Sequence, residues 1–299
     1  MKKLGLVIGS LLIFGMIFVL AGLSLGGETS IYWDKSGVQS PRGGEDRPAR
    51  ISELNTEAFV NISIAMVNHD VEFIVSDSYG FEIVSRNNSQ ITWHLQNGSL
   101  AIKEKFRRGF FDLDFSFLRK GDSYLKVYIP ADAYLEKVFV NTVNGKVELS
   151  GFTCALLDVN VVSGRVEIED VSADILKING VSGTLAMRNC NAQSVNICTI
   201  SGKISISGLK SNGLSMDSVS GRIAVSGELL GRNEINSVSG RVSLLISGSA
   251  DEYSKQFSLI SGSLSVNGQR LSKNHYESGS PNSLKVNTVS GGVAVDFRQ

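Results

Sequence analysis

Residues 159–168 read VNVVSGRVEI, a strand-like run with Gly164 at its centre, where a glycine packs nothing and costs conformational entropy. The chain repeats the device. VNG at Val143–Gly145 is followed by seven VSG or ISG steps, the last at Val289–Gly291. Gly145, Gly164, Gly183, Gly202, Gly221 and Gly240 fall 19 residues apart, and only the last two steps stretch, to 22 at Gly262 and 29 at Gly291. A fixed period of this size signals a solenoid or an array.

Aligned on the glycine, the repeats give L-x-[VI]-N-[ST]-[VI]-S-G-[KR]-[VIL]-x-[VIL], with apolar residues at offsets −7, −5, −2, +2 and +4. Because strand side chains alternate with period two, the odd step from −5 to −2 predicts a bend between them and an inward Val or Ile at −2. At that bend stand Asn141, Asn160, Asn179, Cys198, Asp217, Asn236, Ser258 and Asn287. Asn and Asp tolerate left-handed dihedrals, which suits a corner, and stacked amides bond to one another in a ladder. The eight glycines then mark a kink where a β carbon would crowd.

Nineteen residues at about 3.3 Å each make a perimeter near 60 Å, room for two or three short strands and their corners. A βαβ unit needs roughly 30 residues or more. The predicted fold is therefore all-β, a parallel β-solenoid of 19-residue coils, right-handed by the crossover rule.

The amino terminus is different material. Lys2 and Lys3 precede an uncharged, mostly apolar run from Leu4 to Leu25, long enough to cross a bilayer as a helix. The positive-inside rule then puts the start in the cytoplasm and the remaining chain outside, held in the membrane by that helix, or secreted if the segment is a cleaved signal peptide. The expected organisation is an anchor or signal segment at 1–27, an extracytoplasmic linker at 28–50, irregular β coils and a cap at 51–130, and regular repeats at 131–299. The 51–130 part reads as strands without the 19-residue clock, and Asn97-Gly98 is a hairpin signal within it.

Lys plus Arg and Asp plus Glu both number 29, and this balance argues against a nucleic-acid partner. Cys154, Cys190 and Cys198 have no metal-ligand spacing and read as buried hydrophobes, with a Cys190–Cys198 bridge as the alternative. His69, His94 and His275 lie far apart in sequence, and no cofactor or metal motif occurs.

LKVYIP at Leu125–Pro130, LEKVFVNTVNGKVEL at Leu135–Leu149 and the recurrent VSG steps together resemble the bacterial putative adhesin family, domains of unknown function built from β-strand repeats, from about Phe59 to the carboxyl terminus. That resemblance implies a β-solenoid held outside the membrane, in the cell envelope, and brings no catalytic residues. The reading it supports is a structural or adhesive surface module. The alternatives are an accessory protein of an envelope-stress or signalling system and, more distantly, a carbohydrate-active enzyme on a β-helix.

An enzyme would need paired carboxylates, and Glu148 with Glu167 are neighbours at offset +3, but Lys146 and Arg165 stand beside them. The expectation is a non-enzyme. FFDLDFSFL at Phe110–Leu118 reads as a strand covering the solenoid, or as an aromatic patch. At offset +1 stacking aligns Lys146, Arg165, Thr184, Lys203, Arg222 and Arg241. Lys203, Arg222 and Arg241 have no acid in their own strand, which makes them either an anion-binding stripe or a solvated basic edge that blocks sheet association. The partners implied are the membrane, through the amino-terminal helix, and an anionic envelope polymer, a lipid headgroup or a surface protein.

Overall fold

The computed structural model describes residues 49–85, 90–105 and 123–298. The segment expected to form a membrane helix, most of the expected linker and the FFDLDFSFL segment lie outside the described residues. Among the described residues no helix is long and apolar enough to cross a membrane.

Fifteen strands among the described residues join in one sheet. The regular part is β8 (Tyr134–Ser150), β9 (Thr153–Glu169), β10 (Ser172–Arg188) and β11 (Asn191–Ser247), which winds through three coils without a break. Parallel pairing keeps the 19-residue register, Gly145 to Gly164 and Gly164 to Gly183 to Gly202. The glycines have φ between +116° and +155°, a region closed to side chains. A β carbon on Gly202 would lie 2.1 Å from the carbonyl oxygen of Gly183, and the same clash recurs at every stacked glycine. Close approach of each coil to its neighbour is what the repeated glycine permits.

Two expectations about the coil are corrected. The inward residue before the glycine is the Ser or Thr at −3, not the Val or Ile at −2. Thr142, Val161, Thr199, Ser218, Ser237 and Thr288 are buried, whereas the −2 residues are half-buried or exposed. Alternation thus runs unbroken through −7, −5 and −3, and the parity changes at the glycine itself. Burying a hydroxyl is tolerable where the corner offers an acceptor: Thr199 Oγ1 donates to Ser201 O at 3.4 Å and Ser237 Oγ to Ser239 O at 3.4 Å, whereas Thr288 Oγ1 is buried without a partner among the described residues. Second, none of the −4 asparagines has a positive φ. The left-handed corner lies six residues after the glycine instead, at Gly151, Asp170, Asn189 and Gly208, with φ of 71°, 52°, 51° and 66°. The −4 residues form the expected amide ladder. Asn160 Nδ2 donates to Asn141 Oδ1 at 3.0 Å and Asn179 to Asn160 at 2.8 Å, then Cys198 interrupts, and Asn236 to Asp217 and Asn287 to Asn236 resume at 2.9 and 2.8 Å.

The ends are built out of chain order. β12 (Tyr253–Val266) does not stack on the Gly240 coil; β15 (Asn282–Arg298) lies between them, pairing Gly291 with Gly240 on one side and with Gly262 on the other. The two stretched steps in the sequence are the chain leaving a slot and returning to fill it. On the far side of β12, β13 (Gln269–Leu271) and β14 (Asn274–Glu277) pair antiparallel and end the stack. The amino-terminal end repeats this plan. β2 (Asn61–Met66) and β3 (Asp70–Ser76) form the coil next to β8, β4 (Gly80–Ser85) and β5 (Gln90–Gln96) lie further out, and β6 (Ser99–Lys105) and β7 (Tyr124–Pro130) fill the gap. β1 (Ala49–Leu54) then pairs antiparallel with β4.

This amino-terminal part does not keep a regular 19-residue step, since β3 pairs with β7 54 residues on, but its contact with β8 falls on a multiple of 19. Asn61 pairs with Lys137 and Val71 with Val147, both 76 residues on, or four repeats. His69 therefore occupies the glycine slot of its coil, and a β carbon on Gly145 would lie 2.4 Å from His69 O. Asn97 and Gly98, with φ of 50° and 69°, make the expected two-residue hairpin between β5 and β6. Among the described residues the hydrophobic core is one continuous cluster from Phe59 to Val295, and the strands join in one sheet.

Candidate functional site

The strand that follows each glycine presents offsets +1, +3 and +5 outward, and the parallel register stacks these into columns. In the amino-terminal half the columns are charged and paired. Lys146 binds Glu148 and reaches Glu167 at 3.1 Å, and Arg165 binds Glu167 at 3.4 Å. Arg188 grips Glu169 through two hydrogen bonds of 3.1 and 2.9 Å. One layer outward, Lys126 meets Glu72 at 3.7 Å, and Glu82 accepts from Tyr124 at 3.1 Å and pairs with Arg50 at 2.7 Å. The hydrogen bond from Lys146 holds the Glu167 carboxyl below its ordinary range. Lys146 thus bridges the Glu148 and Glu167 carboxylates, and the pair is part of a charge network.

The other half of the same face is different. Lys203, Arg222 and Arg241 follow Thr184 in the +1 column, all three are exposed, and no ion pair to them occurs among the described residues. Glycine stacking fixes their register, since β carbons on Gly221 and Gly240 would meet Gly202 O and Gly221 O at 2.0 and 1.8 Å. Successive coils set such residues about 4.8 Å apart along the axis. The +3 column beside them holds Ala186, Ser205, Ala224, Ser243, Ala294 and Ser265, small and uncharged. On the other side, at −1, runs a serine column that includes Ser201, Ser220 and Ser239. The sequence-predicted stripe is thus assembled as a row of three cations on a low surface of small side chains. Such a row attracts anions, because its charges repel one another by about 1 kcal/mol per neighbouring pair in water and no acid stands at +1, +3 or +5 of the three coils that carry it.

Sequence reasoning missed the apolar column at −2, which it had assigned to the core. Val143, Val162, Val181, Ile200, Val219 and Val238 are half-buried there, and exposure rises to 38% at Val289 and 53% at Ile260. The signal that would have found it was the Ser or Thr at −3, whose inward placement preserves the alternation.

The remaining candidates are structural. Cys154, Cys190 and Cys198 are free thiols, so the Cys190–Cys198 bridge is not formed, and burial pushes Cys154 up to about 12 and Cys198 to about 11. His69 is buried against Glu104 at 3.1 Å, and His275 contacts Glu277 at 2.6 Å. No group of three metal-ligating side chains occurs among the described residues.

Solved structures similar to this chain include a putative adhesin from Bacteroides fragilis, 13% identical with a TM-score of 0.49 over 85% of this chain and 100% of that one. A putative lipid binding protein from Parabacteroides distasonis is 12% identical, with a TM-score of 0.43 over 86% and 98%. A putative adhesin from Parabacteroides merdae is 14% identical, with a TM-score of 0.34 over 86% and 98%. No curated protein matches the sequence. The repeat, the glycine stacking and the match of residues 59–296 to the family model agree: the chain belongs to the Toastrack DUF4097 family.

Proposed function

We propose that this protein is a non-enzymatic, adhesive surface module of a bacterial cell envelope, anchored by its amino-terminal segment with the solenoid outside the membrane, and that the row Lys203, Arg222 and Arg241 holds an anionic component of that envelope. The observation that carries the reading is the asymmetry of one face. At the outward positions +1, +3 and +5, acids answer the bases in the coils of Gly145 and Gly164 and are absent from those of Gly202, Gly221 and Gly240. A solvated edge that only blocked sheet association would need no such division, since the coils on either side already occupy both backbone edges of these strands.

The test is retention of residues 49–299 on an immobilised anionic glycopolymer. Changing Lys203, Arg222 and Arg241 together to Ser should abolish salt-sensitive retention and leave the melting temperature within a few degrees, because the three side chains are exposed and make no ion pair. Retention equal to the unmodified domain would overturn the reading.

A further inference from the structure

The basic row does not stand alone on its edge of the solenoid. Three residues back along each coil, across the serine and the glycine, runs the outward Val/Ile column: Ile200, Val219 and Val238 lie beside Lys203, Arg222 and Arg241. Pairing of Gly240 with Gly291 and of Gly291 with Gly262 extends that column through Val289 and Ile260. Its most exposed members are these two, at 38% and 53%, where the +1 column has become Gly292 and Ser263. Only the serine hydroxyls and the glycine backbone separate the two columns, so no large side chain stands between apolar and cationic surface.

A soluble polyanion would use the cations and leave the apolar column in water. An anionic bilayer surface uses both, since phosphates meet the row while the apolar side chains enter the boundary between headgroups and acyl chains. The five apolar side chains from Ile200 to Ile260 are β-branched and held by the coil backbone. They lose little side-chain freedom on docking. Resting on the reading of the row as an anion site, we infer that its partner is the headgroup surface of an anionic membrane, which the solenoid meets along this corner with its long axis in the membrane plane.

Co-sedimentation of residues 49–299 with vesicles of equimolar phosphatidylglycerol and phosphatidylcholine tests this, with soluble polyphosphate as the second ligand. The triple variant Val238→Thr, Ile260→Thr and Val289→Thr keeps the branched shape and removes one methyl group's worth of apolar surface or more at each site. It should bind vesicles about tenfold more weakly and polyphosphate unchanged. The Lys203, Arg222 and Arg241 triple Ser variant should lose both ligands. If the Thr variant binds vesicles as the parent does, or the parent does not sediment with them, the membrane inference fails while the anion row stands on polyphosphate binding. If the Ser variant keeps both ligands, the row itself fails and the inference with it. Circular dichroism spectra and melting curves matching the parent ensure that each loss is read from a folded domain.

Discussion

In the middle of the solenoid each coil rests on the one made just before it; at the two ends a coil rests on one that is made later. β9, β10 and β11 follow β8 in sequence and in space. β15 and the β6–β7 coil instead fill slots whose far walls, β12 and β4–β5, precede them in the chain. The middle is a quasi-one-dimensional stack in which nearest neighbours supply the stability. The ends are closed by long-range pairing, and the antiparallel strands beyond them cover what would otherwise be a parallel edge. The same backbone geometry therefore has two kinds of dependence, local in the middle and conditional at the ends.

The largest effect should come from emptying a slot. Deleting residues 278–299 removes β15 and leaves β12 without its parallel partner, so amides of 253–277 should lose hydrogen-exchange protection while those of 134–228 retain it. If β12 stayed protected, it would be stacking directly on the Gly240 coil, and the distinction between middle and ends would collapse.

Within the middle, Gly202→Val should cost about 3 kcal/mol or more, because Gly202 has φ of +140° and its β carbon would meet Gly183 O at 2.1 Å. Gly213→Val should cost about 1 kcal/mol or less, the nearest atom to its β carbon being Arg232 O at 3.5 Å. Urea denaturation measures both, and equal midpoints would refute the stacking role of the glycine.

A smaller and pH-dependent effect belongs to the carboxyl-terminal end. Lys255 occupies the inward −7 position that Val138 and Leu157 hold in the middle, and its side chain is 7% exposed. It reaches Glu277 of β14 at 2.6 Å and donates to Ala250 O at 2.8 Å. Hydrogen bonds from Lys255 and then from His275 hold Glu277 below its ordinary value of 4.5. A lowered folded value means that the contribution is present above about pH 4.5 and lost as pH falls through the folded value. Protection of 269–277 should therefore fade as pH falls below 4.5, the ordinary value, and Glu277→Gln should remove that pH dependence. A fade of the same midpoint in the Gln variant would assign it to another group.

The smallest effect is a gain. Gly180 stands at −3, where the other coils carry Thr, Val, Ser or Leu, and a void of about 30 Å3 lies beside it. Its β carbon would meet nothing nearer than Thr199 Oγ1 at 3.8 Å. Gly180→Ala should raise stability by about 0.4 to 1 kcal/mol, the reverse of any substitution at a stacked glycine. A lower melting temperature would show that this coil depends on the missing side chain.

The middle was legible because its rules are local. A glycine at positive φ, a polar ladder residue and a strand of alternating Val, Leu and Ile are each written within one 19-residue coil. The amino-terminal coil escaped notice because its glycine slot holds His69, so the residue that marks every later coil is absent from it. The −2 column was misassigned because hydrophobicity was taken as the sole criterion for the interior, whereas hydroxyls at Thr199 and Ser237 find carbonyl acceptors there. The basic row was legible residue by residue, but that its acidic half is neutralised across coils, with Lys146 reaching Glu167, depends on the stacking.

By itself the sequence determined an all-β solenoid, the length of its coil, the glycine at its kink and the amide ladder, since each follows from sterics and hydrogen bonding repeated at a fixed interval. Tertiary structure alone decided the order of the end coils, the outward turn of the Val/Ile column and the pairing of Lys146 with Glu167 across coils. Those depend on which coil lies next to which, and contact between segments up to 76 residues apart leaves no mark within any single repeat.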